Sequence, residues 1–199
     1  VEMPKIVDHD QRRLELVDAT WRVIAERGLD AATMREIASA AGFANGALKP
    51  YFTSKDGLLD FAFGHVFART NRRMEAATAG LSGRAALRAY CHEILPLDDD
   101  RLAEARVAIA FWSKAVRDRE KAALHERSMD QWRSALADLL RAAGFSGGAA
   151  ELEPAVGAVM DLVLGAQITA TLSPTRHGAD QLVAQLDLLL DALLHRGQA

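Results

Sequence analysis

The chain has 199 residues, 50% of them hydrophobic and 26% charged, an ordinary globular composition whose length suits one large domain or two small ones. Its net charge is −3, and residues 1–55 carry eight Lys/Arg against eight acids, so charge alone does not announce a nucleic-acid binder. A single cysteine (Cys91) excludes an internal disulfide framework, no run of about 20 uncharged apolar residues calls for a membrane span, and the N-terminal VEMPKIVDHDQRRLELV lacks the apolar segment of a secretory signal, so a cytoplasmic protein without membrane contact is expected.

The first predicted element is a helix with an apolar stripe of Leu14, Val17, Trp21 and Ile24, ended by Gly28. Thr33 and Glu36 then form a T-x-x-E capping box, opening a short helix that turns Ile37, Ala38 and Ala41 inward and stops at Gly42. A second short helix starts at about Ala44. Pro50 has no amide and disfavours α geometry at Lys49, so this helix is expected to end or distort at 48–50. Ser54 caps a long helix to about Ala79, with Asp56 suited to its positive end.

Helical spacing continues through Leu58, Phe61, Ala62 and His65, then Leu87, Tyr90, Cys91 and Ile94. It resumes in Leu102, Ala105, Ile109, Trp112 and Val116, and again in Leu124, Ser128, Trp132, Ala135 and Leu139. Breaks fall at 80–83, 96–100, 144–148 and 173–178. Residues 154–172 are apolar nearly all round, and 179–195 put Leu182, Leu186, Leu189, Leu190, Leu193 and Leu194 on one broad stripe. No alternating β pattern survives, so the expected fold is all-α, with about nine helices.

Two short helices around Gly42 with a longer helix behind them make a helix-turn-helix in a three-helix bundle, although a purely structural hairpin has the same outline. The run TMREIASAAGFANGALKPYFTSKDGLL resembles the DNA-binding region of TetR-family transcriptional regulators. The preceding MPKIVDHDQRRLELVDAT is similar to the start of the subgroup typified by the choline-responsive betaine-synthesis repressor, and AFWSKAVRDREKAALHERSMDQWRSAL is similar more loosely. The resemblance implies a helix-turn-helix DNA-binding domain over 1–53 and a helical ligand-binding and dimerisation domain over 54–199. It implies phosphate contacts from Thr33, Tyr51 and Lys55, with Asn45, Gly46 and Lys49 facing the groove and Arg35 and Ala44 at the same surface. Asn on adenine and Lys on guanine are chemically able to read base edges, although an exposed Lys such as Lys49 next to DNA more often meets phosphate. Where the family commonly has Ser, Tyr and His, this chain has Ala44, Lys49 and Pro50. Ala44 removes a cap oxygen, and Lys49 adds a charge.

For the second domain, Phe61, His65, Tyr90, Trp112, Trp132, Met160 and Gln167 are the candidate lining of an effector pocket, with plain core packing as the other reading of the tryptophans. Val163, Gln167, Leu182, Leu186 and Leu190 are the candidate dimer interface, because the two apolar helices need more burial than one subunit offers. Asp161 could be a counter-charge for a cationic effector or a carboxylate at the dimer face or in solvent. Cys91 and His92 point about 100° apart on a helix, and no metal, cofactor or catalytic set is expected. The implied function is a homodimeric, sequence-specific DNA-binding regulator, a repressor released from a palindromic operator by a small molecule. A ligand-independent or corepressor-dependent DNA binder and, from another class, a helical-bundle enzyme are the alternatives.

Overall fold

The computed structural model describes residues 9–31, 33–44 and 48–195, and all regular structure among them is α-helical. The elements are α1 (His9–Ala31), α2 (Met34–Ala40), α3 (Lys55–Thr78), α4 (Gly83–Ile94), α5 (Asp99–Ala115), α6 (Arg119–Ala142), α7 (Ala149–Leu172) and α8 (Ala179–Leu194). The short helix expected from about Ala44 runs across 45–47, outside the described residues.

Side-chain oxygens begin several of these helices by accepting amides that have no partner inside the helix. Thr33 Oγ1 takes the N–H of Glu36 at 3.2 Å and Ser54 Oγ that of Gly57 at 3.0 Å, as the sequence led us to expect. The reciprocal half of the expected capping box differs, since the Glu36 carboxylate lies 3.5 Å from Thr33 Oγ1 and 3.5 Å from Arg27 Nη1. The corner at 116–118 contains neither Gly nor Pro, so sequence punctuation gave no sign of it. Asp118 makes it, accepting the N–H groups of Glu120 and Lys121 at 2.9 and 3.2 Å. Regular geometry in α1 breaks at Gly28, whose φ of 80° is the left-handed region that other residues avoid.

The apolar stripes converge on two cores. The first combines Leu16, Val17, Trp21 and Ile24 of α1 with Ile37 and Ala38 of α2, then Leu48 and Phe52, the first half of α3 (Leu58, Leu59, Phe63) and the second half of α5 (Val107, Phe111). Phe63 and Phe111 stack at 3.9 Å between centroids, 7° from parallel. The N-terminal bundle therefore rests on α5, not on α3 alone. The second core joins Met74 near the end of α3 to α4, α6, α7 and α8. Helix α3 thus contributes buried side chains to both. Ion pairs reinforce the frame: Lys121 Nζ bonds both Asp60 oxygens at 2.6 and 2.7 Å, and Arg88 grips Asp187 with bonds of 2.6 and 3.0 Å.

α7 starts at Ala149, five residues before the expected 154, and carries Pro154 inside it. The missing proline amide would have bonded Ala150 C=O, close to the helix start, where the loss disturbs one bond only. By length and composition α7 could cross a membrane, with a mean hydropathy of 1.6, yet 44% of that stretch is buried inside this chain. The candidate dimer residues need a correction. Val163, Leu186 and Leu190 are 0% exposed, Leu182 1% and Gln167 8%, so their side chains are consumed by the chain's own core and cannot meet a partner. The outward apolar surface lies on other faces of these helices: Ile168 is 42%, Leu172 76% and Leu188 72% exposed.

Candidate nucleic-acid interface and effector cavity

The turn after α2 is built by backbone bonding. Gly42, at φ 73°, follows the C-cap Ala41; its N–H bonds Ser39 C=O at 3.1 Å and Phe43 N–H bonds Ala38 C=O at 2.8 Å. This pair of bonds is the Schellman arrangement, and it reverses the chain within two residues. Gly42→Ala is expected to lower stability by about 1 kcal/mol through the left-handed φ alone, since nothing crowds the position. Chemical denaturation would measure it.

Beyond the turn, residues 48–51 form a single turn rather than α-helix. Leu48 C=O accepts from Tyr51 N–H at 2.9 Å and from Phe52 N–H at 2.8 Å. Leu48 and Phe52 are buried, whereas Lys49 and Pro50 between them are exposed. Pro50 thus sits where its ring meets solvent, and the short turn hands the chain to the Ser54 cap.

Thr33, Arg35, Ala44 and Lys49 are exposed, and Tyr51 and Lys55 are half-buried. The Tyr51 ring meets Phe43 edge-on at 6.4 Å, and the guanidinium of Arg12, on α1, lies 5.1 Å over Phe43. Asn45 and Gly46, the other groove-facing candidates, lie outside the described residues.

The candidate pocket residues do not all meet. Trp112, Trp132 and Gln167 line one internal cavity of ≈ 30 Å³ among α3 to α7. Phe61 instead packs against Phe52 at 5.3 Å, in the first core. Tyr90 and Met160 belong to the second core. His65 is half-buried on α3 outside the cavity wall, and burial pulls its pKa down. Asp161 is exposed on α7 and is not part of the wall of this cavity. Cys91 is fully buried, and burial pushes its thiol up to about 12, the behaviour of an inert core residue.

Sequence reasoning missed the rest of the wall, notably Phe63, Phe67, Thr70, Arg101 and Glu104. Phe67 stacks on Trp132 at 5.2 Å, and Trp132 Nε1 donates to Asn71 at 2.7 Å. Glu104 is only 5% exposed and accepts two bonds from Arg73, at 2.7 and 2.8 Å. Burial opposes the Arg73 cation, but its bonds to Glu104 and Glu93 outweigh that and raise its pKa. Arg69 lies 3.4 Å from Glu104 and 4.7 Å over the ring of Trp21 on α1. A signal for Glu104 existed in the sequence. It lies on the same stripe of α5 as Ala108 and Phe111, at i+4 and i+7, where an unpaired carboxylate has no place.

Among the described residues, a small helical bundle built around the turn at Gly42 rests on a helical domain with an internal cavity, and comparison with known proteins supplies the class. Residues 16–61 match the model of bacterial regulatory proteins of the tetR family, and residues 83–195, more than half of the chain, match the C-terminal region of BetI-type transcriptional repressors. The chain belongs to the TetR family, with a BetI-type C-terminal region. It is 36% identical over 139 residues to the HTH-type transcriptional regulator PksA of Bacillus subtilis, covering 69% of this chain and 66% of that one. It is also 36% identical over 122 residues to the regulator BetI of Burkholderia mallei, covering 58% of this chain and 60% of that one. The matched segments thus span less than two thirds of either relative. Among solved structures, a transcriptional regulator from Rhodococcus sp. Rha1 superposes with a TM-score of 0.83 at 28% identity, covering 92% of this chain and 96% of that chain. A regulator from Saccharomonospora viridis, solved in complex with choline, superposes with the same TM-score of 0.83 at 20% identity and the same coverage, 92% and 96%, a likeness of fold.

Proposed function

We propose that this protein is a homodimeric, sequence-specific DNA-binding transcriptional repressor, acting in the cytoplasm and released from a palindromic operator by a small molecule. The observation that carries the reading is the double role of α3. Its first residue, Lys55, is a candidate phosphate contact, while Phe63, Phe67 and Thr70 on the same helix line the cavity. Lys55 and Thr70 are roughly 22 Å apart along the axis at ~1.5 Å per residue, so one rigid rod joins the DNA edge to the cavity wall. A ligand that displaced the α3 wall would move the DNA-binding bundle. It can weaken operator binding only by favouring the displaced state, and couplings of about 1–3 kcal/mol correspond to roughly 5- to 150-fold.

Two copies would meet through the outward stripe of α7 (Gly157, Asp161, Gly165, Ile168, Leu172) together with Leu188 of α8. The α7 residues follow 4, 4, 3, 4 spacing on one face, and a symmetric dimer matches a symmetric operator. The ≈ 30 Å³ cavity favours a second reading, a DNA binder without ligand control, because it leaves room for little more than water.

The test begins with operator selection by the purified protein. Lys55→Ala should weaken binding alike across operator variants and flatten the salt slope by about one unit, whereas Lys49→Ala should change preference between sequences. Identical effects of the two substitutions on every site would refute this division of roles.

A further inference from the structure

Arg69, on α3, stands where the N-terminal bundle meets the cavity wall. Its Nε lies 3.4 Å from Glu104 and its Nη2 3.3 Å from Asp100, two carboxylates four residues apart on one face of α5. The same guanidinium lies 4.7 Å over the ring of Trp21 on α1, within the range at which a cation is attracted to an indole face. One side chain thus joins α1, α3 and α5.

What surrounds the bridge makes it more than a surface ion pair. Glu104 lines the internal cavity, so the contact runs from the cavity wall to α1 without passing through the DNA edge of α3. Trp21 is 8% exposed, and its Nε1 finds no hydrogen-bond partner among the described residues. Packing and the cation over its face therefore orient the ring, not a hydrogen bond. A cleft of ≈ 290 Å³ borders the bridge, lined also by Asp18, Arg22 and Glu26 of α1 and Ala103 of α5, so apolar packing alone does not join the helices there. Lys55 and Arg69 are fourteen residues apart on one helix, roughly 21 Å at ~1.5 Å per residue, which sets Arg69 well back from the DNA edge.

We propose that Arg69 is a positioning residue for operator binding: held by Glu104 and Asp100, it fixes α1, and with it the DNA-binding bundle, against the cavity wall. The inference rests on the DNA-binding reading of the function and adds a second link beside the α3 rod. A bundle fixed in advance has less freedom to lose when it meets DNA, so the bridge strengthens binding without touching the operator.

Arg69→Met keeps most of the apolar stem and removes the cation. It is expected to weaken operator binding by about five- to thirty-fold, the factor a partly desolvated cation–π contact is worth. The loss should be equal across operator variants and should leave the salt slope unchanged, because no phosphate contact is removed. Affinity within two-fold of the unaltered protein, or a salt slope flattened by about one unit as for a phosphate contact, would overturn the proposal.

A second measurement needs no DNA. The chain has three tryptophans, so their indole N–H groups give a sparse nitrogen-edited proton NMR spectrum in which Trp21→Phe identifies one signal by its disappearance. Either carboxylate alone leaves Arg69 a partner, so both are neutralised. Asp100→Asn/Glu104→Gln is expected to shift the Trp21 signal when Arg69 is present and far less in the Arg69→Met background, with folding checked by thermal melts. An unmoved Trp21 signal, an equal shift in both backgrounds, or a double variant that does not fold while Arg69→Met leaves operator affinity intact would refute the bridge. Failure of the unaltered protein to bind any operator would refute the functional reading, and the Trp21 response decides the bridge independently of that result.

Discussion

Glutamate at both Ile168 and Leu188 is expected to leave the chain folded, to convert dimers to monomers, and to reduce operator affinity by about 10²–10⁴-fold, the loss that follows when two linked binding events become one. Both side chains are mainly or substantially exposed, at 42% and 72%, so the charges meet water in the separate subunit and are desolvated only if a partner covers them. The contrast with Leu186→Glu makes the test specific. Leu186 is 0% exposed in the second core, and a carboxylate there should unfold the subunit itself. Sedimentation velocity, circular dichroism and operator titration on the two variants separate these outcomes. An unchanged dimer in the Ile168→Glu/Leu188→Glu protein would place the interface on another surface.

Glu104→Leu is expected to destabilise the protein by about 3 kcal/mol, the lower end of the cost of breaking a buried ion pair by removing one partner. Arg73 would lose two short bonds yet keep Glu93 at 3.0 Å, which limits the damage. Arg69 would keep Asp100 at 3.3 Å and its place over Trp21. Adding Arg73→Met to Glu104→Leu should restore much of the stability, because paired buried charges replaced together by apolar groups of similar volume cost little. Denaturant midpoints measure both. A single-variant loss below ~0.5 kcal/mol, the range of a surface change, would show that the pair is dispensable.

Much of the local structure was determined by the sequence itself. Thr33 and Ser54 cap because a hydroxyl oxygen three residues before an amide can reach it, whatever the rest of the chain does. Gly28 and Gly42 interrupt their helices because the left-handed backbone there excludes most other residues. The inward stripes of α1 and α2 follow from helical period, and the ordered string of residues from Thr33 to the paired leucines Leu58 and Leu59 was enough to point to the family.

Tertiary structure decided what each stripe packs against. Phe61 and Phe63 are two residues apart, about 200° around α3, and both are apolar enough for a pocket. Phe61 meets Phe52 while Phe63 meets Phe111 and lines the cavity, a division set by where the turn at 48–51 and α5 lie. The leucine stripe of α8 has the same ambiguity: periodicity says that Leu182, Leu186 and Leu190 are buried but not by which chain. Their own subunit's core took them, leaving Leu188 outside. A helix pattern encodes the need for burial; the partner that meets it is encoded in contacts between residues far apart in sequence, which no periodicity records.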